Sequence, residues 1–131
     1  MLYYIASRTV HAPKWQALRS KGIQLTSTWI DEAGEGQSKE YSELAQRCLD
    51  EVMAADVVIL YSDKGDILKG ALIECGAALA VGKPVICVGN SSSISRVFRQ
   101  HPLWKSASDI EAAIQLGSHV VSALKSELMR N

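Results

Sequence analysis

Glu74 is the residue of this sequence that points most directly to chemistry. It stands alone among apolar and small residues in the segment 70–82, which reads GALIECGAALAVG. Ionised side chains are seldom placed in such surroundings without a partner or a purpose. Near a helix N-terminus, the macrodipole would keep this carboxylate ionised at neutral pH, as a nucleophile requires. The alternative is a surface glutamate that interacts with that dipole from outside.

Short apolar runs alternate with helical periodicity along the chain. Strands are predicted from the apolar runs at residues 2–6, 23–29, 57–61 and 84–88. Helices are predicted from the periodic patterns at residues 13–21, 38–53, 71–81 and 108–128, the last with a capping box that begins at Ser108. The sequence therefore predicts an α/β fold, a three-layer sandwich on a mostly parallel five-stranded sheet of the flavodoxin-like or Rossmann-like type.

Length and composition narrow the class of protein. The chain has 131 residues, 14 Lys plus Arg and 14 Asp plus Glu, and 47% hydrophobic residues, which predicts one domain over residues 1–131. Balanced charge speaks against nucleic-acid binding. The chain has no apolar run of membrane-spanning length and no leader pattern, so a cytoplasmic protein with no membrane association is expected. Its three cysteines and its loop histidines lack metal-ligand spacing, so neither a metal nor another cofactor is predicted.

Loops that follow the predicted strands are the expected place for a site, because ligands of open parallel sheets bind at the carboxyl edge. The loop after the first strand offers Ser7 and Arg8, and the loop after the third extends from Ser62 to Gly70. All four are candidate substrate-binding or phosphate-binding residues. For Ser7 and Arg8 the alternative is a plain exposed strand end. The aromatic residues near strand ends can stack on a base, but they are more typical of a core or an interface.

Several motifs together resemble the nucleoside 2-deoxyribosyltransferase superfamily, which includes the deoxynucleoside 5′-monophosphate N-hydrolases. The main one is E-x-G-x-A-x-A-x-G-K-P-V at residues 74–85, and the others are ADVV at 55–58 and a tyrosine-bearing first strand that ends in ASR at 6–8. The resemblance covers about residues 2–90. It implies a nucleoside or nucleotide as the small-molecule partner, and a homo-oligomer to which the region around residues 98–104 contributes.

The resemblance also implies roles for individual residues. Glu74 would attack the anomeric carbon of a ribosyl or deoxyribosyl group and form a covalent glycosyl-enzyme, which water or a second base resolves. Tyr3 matches the first-strand tyrosine that holds this carboxylate by a hydrogen bond; the alternative is an aromatic residue packed in the core. Ser7 and Arg8 match positions that bind a 5′-phosphate.

Position 48 departs from the family pattern. The family commonly has an aspartate there, which assists departure of the base, whereas this chain has Cys48. The apolar stripe of this helix predicts that Asp50 and Glu51 face the other way. Asp63 or Asp66 could supply a catalytic carboxyl group from another direction, although a Ser-Asp-Lys-Gly-Asp loop is also ordinary turn chemistry.

Two functions remain open on the sequence. The first is cleavage or transfer of the N-glycosidic bond of a (deoxy)nucleoside 5′-monophosphate through a covalent intermediate on Glu74. The second is a catalytically impaired nucleotide-binding or sensing module of the same fold, for which Cys48 is the main support. A relative of the phosphoribohydrolases ranks last, because the P-G-G-x-G-T loop that those enzymes carry is absent.

Overall fold

A four-stranded parallel sheet with helices on both faces forms the framework of the protein. The computed structural model describes residues 1–33 and 40–130. In these ranges the strands and longer helices are β1 Tyr3–Ala6, α1 Ala12–Ser20, α2 Tyr41–Ala54, β2 Val57–Ser62, α3 Gly70–Ala80, β3 Val85–Gly89, β4 Trp104–Ala107 and α4 Ile110–Met129. The strand order is β1-β2-β3-β4. The predicted α/β sandwich is confirmed, but the predicted number of five strands is wrong.

The difference arises at residues 23–29, which were predicted to form a strand. They make a single parallel bridge, between Tyr3 and Leu25. Beyond it, side chains replace the backbone ladder at this edge of β1: the indole N–H of Trp29 donates to Ile5 O at 2.9 Å, and the Ile5 amide donates to Ser27 Oγ at 3.2 Å. The apolar residues of this segment are therefore used to bury a turn, not to extend a strand.

Strand β4 was not predicted from the sequence. It pairs in parallel with β3 at the far edge of the sheet. Of its residues, only Trp104 is buried, and Lys105 and Ser106 are exposed. A single inward-facing residue gives no alternating pattern, so the strand had no signal in the sequence.

Alternate residues of β1 face different helices. On one face, Gly117 lets α4 approach so closely that a Cβ there would lie 3.2 Å from Val57 and 3.3 Å from Tyr3. On the other face, the Tyr4 hydroxyl reaches Glu74 on α3. Successive side chains of a strand point to opposite faces, so these two tyrosines serve different layers.

The helices agree with their predicted positions, with small shifts at the ends. The predicted start of α2 at residue 38 lies outside the described residues. Helix α4 is capped by Asp109, whose carboxylate accepts from the Ala112 amide at 2.8 Å, so the predicted cap at Ser108 is wrong by one residue. Aspartate caps a helix as well as serine does, and here it is the residue in extended conformation before the first turn.

Among the described residues, no helix combines the length and the apolar character that crossing a membrane needs. The three cysteines are free thiols, with Cys75 and Cys87 buried and Cys48 half-buried. Cys75 belongs to the buried face of α3, together with Ala71 and Ala78. These small side chains let the helix that carries Glu74 lie close to the sheet.

Two glycines allow the stability cost of backbone strain to be measured apart from the cost of steric overlap. Gly89 has a φ of +93° and a Cβ at this position would lie 2.1 Å from Ser62 O, whereas Gly65 has a φ of +88° with nothing within 4 Å. We expect Gly65→Ala to cost about 1 to 2 kcal/mol of unfolding free energy and Gly89→Ala more than about 3 kcal/mol. Urea denaturation of both variants measures the difference. Equal losses would show that the clash at the end of β3 relaxes freely.

Candidate active site

A cavity of about 570 Å³ opens at the carboxyl edge of the sheet, beside β1, β2 and the start of α3. The segment bridged at Leu25 lies on one side of β1 and β2 on the other, so the chain changes direction here, as it does at the ligand sites of open α/β sheets. The cavity is lined by Ser7, Arg8, Thr9, Trp29, Glu32, Leu44, Cys48, Gly65, Ile67, Leu68, Lys69, Gly70, Ala71 and Glu74. The loops after β1 and β2 thus contribute to it.

Glu74 lies in the second turn of α3 with its carboxylate in this cavity. The Tyr4 hydroxyl donates a hydrogen bond to Oε2, and the Cys48 thiol contacts the same carboxylate. Tyr3 was predicted to make the tyrosine contact, and this prediction is wrong. The Tyr3 hydroxyl donates to Ile114 O of α4 at 2.8 Å, on the opposite face of the sheet.

Burial controls the protonation of Glu74. It raises the pKa of this carboxyl to about 7, although the hydrogen bonds from Tyr4 and Cys48 lower it; the charge of Glu51 raises it further. The helix dipole acts mainly on the first turn, and Glu74 lies beyond it. Burial therefore favours the protonated form of Glu74, against the expectation that the helix dipole keeps this carboxylate ionised.

Cys48, where the resemblance led us to expect an aspartate, is a neutral group. Burial is the largest influence on the thiol and raises its pKa to about 11, so it stays protonated beside Glu74. Glu51 was predicted to face away; it lies one turn after Cys48 on the side of α2 that faces Thr28, and it does not line the cavity. Its carboxylate accepts from the Thr28 amide at 3.0 Å and from Thr28 Oγ1 at 2.7 Å. Residues three apart on a helix are neighbours, so the edge of the apolar stripe brings Glu51 to this side.

Asp66 is a fixed anion that does not line the cavity. It accepts hydrogen bonds from His11 Nε2 at 2.9 Å, from the Asp63 amide at 2.8 Å and from Arg8 Nη1 at 3.3 Å. These partners, His11 first, lower the pKa of Asp66. Such a carboxylate donates no proton, which argues against the catalytic role suggested for it; it instead orients Arg8.

Asp63 is also directed away from Glu74. Its carboxylate is exposed and accepts from the Tyr61 hydroxyl at 2.5 Å. With His11 and Asp66 it forms the cluster of described residues that comes nearest to a metal site, with ligand atoms within 4.8 Å of one another. Hydrogen bonds already engage both Asp66 oxygens, so an internal ion-pair network explains the cluster.

Positive charge gathers at one end of the cavity. Arg8 and Lys69 line it there, next to Gly70 at the N-terminus of α3. Cations and free helix amides together favour an anion such as phosphate. Ser7 also lines the cavity, with its hydroxyl donating to Arg8 O at 3.0 Å and accepting from Trp15 Nε1 at 2.9 Å. It therefore shapes the loop and has no proton left to donate in this arrangement.

Ser62 and the loop after β3 do not belong to this cavity. Ser62 is buried at the end of β2, and its carbonyl accepts from the Asn90 amide at 2.7 Å. The candidate role of Ser62 in substrate binding is wrong for this cavity, because the side chain lies beneath the strand ends and not in their opening.

Another wall of the cavity is built from residues that the sequence did not single out together. The short 3₁₀ helix Thr28–Asp31 and α2 supply this wall: Trp29, Glu32, Leu44 and Cys48. The hydrogen bond from Trp29 to β1 fixes its indole ring. Glu32 and Leu44 are separated by twelve residues of sequence and share no motif, so only the folded chain brings them together.

A parallel α/β sheet with a buried carboxyl group at its switch point defines a class of small-molecule enzymes. The family model for nucleoside 2-deoxyribosyltransferase matches residues 3–126, and the chain belongs to this family. No curated protein matches the sequence.

Solved structures show the same fold. A 2-deoxyribosyltransferase from Bacillus psychrosaccharolyticus superposes with a TM-score of 0.63 at 23% identity, over 83% of this chain and 87% of that one. The CMP N-glycosidase BcmB from Clostridium botulinum superposes with a TM-score of 0.56 at 15% identity, over 88% of this chain and 96% of that one. At these identities the comparison supports the architecture.

The raised pKa of Glu74 predicts a pH-dependent stability. Between pH 4.5 and 7 the folded state holds a proton that the unfolded chain releases, so this contribution to stability is lost as the pH rises. We expect Glu74→Gln to increase the free energy of unfolding by about 1 to 3 kcal/mol at pH 8 and by much less at pH 5. Urea denaturation at both pH values measures it. The exposed control Glu127→Gln should change the free energy of unfolding by less than about 0.5 kcal/mol at either pH. If Glu74→Gln changes the free energy of unfolding equally at pH 5 and pH 8, the raised pKa of Glu74 is contradicted.

Proposed function

We propose that this protein cleaves or transfers the N-glycosidic bond of a (deoxy)nucleoside 5′-monophosphate through a covalent intermediate on Glu74. The observation that carries the proposal is the Glu74 carboxylate in the cavity, where the Tyr4 hydroxyl donates a hydrogen bond to it and Cys48 is a neighbouring lining residue. A desolvated carboxylate that is oriented by a hydrogen bond is placed for attack on a sugar carbon. Membership of the nucleoside 2-deoxyribosyltransferase family supports the same chemistry.

The reaction is a double displacement. An ionised Glu74 oxygen bonds to the anomeric carbon while the bond from that carbon to the base nitrogen breaks, and the electron pair leaves with the base, which takes up a proton from solvent. Water then attacks the same carbon, releases a proton and the sugar 5-phosphate, and restores the carboxylate. If a nitrogen of a second base attacks in place of water, the product is a new nucleotide and the reaction is a transfer.

Electrostatics of the cavity support a phosphorylated substrate. Arg8 and Lys69 line the cavity, and Asp66, which is itself held by His11, accepts from the guanidinium of Arg8. Placing the 5′-phosphate there sets the sugar near Glu74 and leaves the wall of Trp29 and Leu44 for the base. An uncharged nucleoside would make no charge-assisted contact with either cation.

A nucleotide-binding module without turnover is the second candidate. Cys48 favours it, because a thiol with a pKa of about 11 is a poor acid to assist the leaving base. Within the described part of the cavity lining, the only other carboxylate besides Glu74 is Glu32, which is paired with Arg47. Binding without release of base would establish this candidate.

Release of free base tests the two functions directly. The protein is incubated with nucleosides and their 5′-monophosphates in ribo and deoxy forms, and chromatography detects the base. We expect release from monophosphates and at least about tenfold slower release from nucleosides, which lack the charge-assisted contacts. Glu74→Gln should lower release by at least about a thousandfold while calorimetry still shows binding.

Two results would decide against the proposal. If wild-type protein binds nucleotides by calorimetry and releases no base from any of them, the binding module is the correct interpretation. If Glu74→Gln releases base at the wild-type rate, Glu74 is not the nucleophile.

The pH profile distinguishes the two tyrosines. Because Tyr4 donates to the Glu74 carboxylate, it lowers the pKa of that group, and Tyr4→Phe should raise the pKa above 7. We expect the rising limb of kcat/KM to move to higher pH and activity at pH 7 to fall about tenfold. Tyr3→Phe is the matched control, since its hydroxyl contacts α4 on the other face, and its rising limb should stay in place. Equal shifts in both variants would contradict this assignment.

A further inference from the structure

We propose that Glu32 selects the base, favouring nucleotides whose base carries an exocyclic amine. This inference rests on the proposed function, because it assigns the base end of the same cavity. Glu32 lines the cavity with Trp29 and Leu44, on the wall formed by the 3₁₀ helix and α2, whereas Arg8 and Lys69 come from the loops after β1 and β2. An aromatic ring and a leucine suit the flat faces of a base, and a carboxylate beside them suits its polar edge.

The Glu32 side chain is held in place by Arg47. The guanidinium Nη1 of Arg47 donates to Glu32 Oε2 and to Thr28 Oγ1, and Nε donates to Glu43 Oε1 at 2.9 Å. The side chains of Glu32 and Arg47 are 30% and 25% exposed, so the pair lies in the cavity wall and not on a freely solvated surface. A carboxylate accepts hydrogen bonds and donates none, and the contact with Arg47 orients this one.

An acceptor at this edge discriminates between bases that otherwise have the same shape. Cytosine and adenine present an amino group as a donor, and guanine presents an amine next to a ring N–H. Uracil and hypoxanthine present a carbonyl oxygen where the amine would be, and its lone pairs face the carboxylate unfavourably. Glu32 therefore favours CMP over UMP and AMP over IMP, each pair differing by one amine-to-carbonyl exchange.

With Glu32 as the carboxylate that faces the base, position 48 can hold a neutral thiol. A neutral thiol at position 48 adds no second negative charge beside Glu74, whose pKa is already raised by burial and by Glu51. The carboxylate that contacts the base comes instead from the neighbouring wall, where Arg47 balances its charge. Glu32 is thus a specificity residue that orients the base and transfers no proton.

Paired substrates and a matched variant test the inference. Calorimetry on the Glu74→Gln background gives Kd for CMP, UMP, AMP and IMP, and wild-type turnover gives kcat/KM for the same four. We expect a preference of about 10- to 100-fold for the amine-bearing member of at least one pair, the usual value of a hydrogen bond to a charged group. Glu32→Gln should reduce this preference to about threefold or less.

Glu43→Gln is the control. It removes the other carboxylate that pairs with Arg47, but Glu43 is exposed and does not line the cavity, so the preference should stay at the wild-type value. Thermal denaturation of both variants shows whether they fold alike. The inference is supported if the base preference is lost in Glu32→Gln and kept in Glu43→Gln.

The outcomes separate this inference from the proposed function. An unchanged preference in Glu32→Gln, or an equal preference for both members of each pair in the parent protein, overturns the role of Glu32. If no base is released but the binding preference depends on Glu32, the catalytic proposal fails and the assignment of the base end stands.

Discussion

Withdrawal of the Glu74 carboxylate from water is the constraint around which the structure is arranged. Burial raises the pKa of this carboxyl to about 7, and the Tyr4 hydroxyl and the Cys48 thiol offset part of that cost. Both partners come from other elements, β1 and α2, so the carboxyl group has these neighbours only when three elements are packed together. A group that opposes folding when ionised, yet is positioned by the fold, is typical of functional sites.

The shape of the cavity depends on how the backbone at the edge of β1 is hydrogen-bonded. Instead of a full strand, side chains of the segment before α2 satisfy the backbone of Ile5: Ser27 accepts from its amide and Trp29 donates to its carbonyl. The chain can then turn away from the sheet, and the short helix that follows becomes a wall of the cavity. The segment that ends the sheet beside β1 thus also forms a wall of the cavity. It does this in place of a strand, so the described sheet has four strands and not five.

The candidate site is divided electrostatically. Arg8, whose guanidinium donates to Asp66, is a cation in the cavity lining, while Glu32, paired with Arg47, is a carboxylate in another wall. Arg8 and Glu32 are each held by a partner of opposite sign that is not itself a lining residue. Such second contacts limit the rotamers of long side chains, so less entropy is lost when a ligand binds. Glu74 lines the same cavity.

The amino-acid sequence alone determined the α/β class, the helices, the loops that line the cavity and the unusual placement of Glu74, because periodicity and isolated charges are local properties of a chain. Only the tertiary structure decided that Tyr4 and not Tyr3 contacts Glu74, and that Asp66 supports Arg8 and supplies no acid. It also decided that Glu32 joins the cavity. The physical reason is that the face a strand residue occupies, and the partner a carboxylate finds, depend on contacts between elements far apart in sequence.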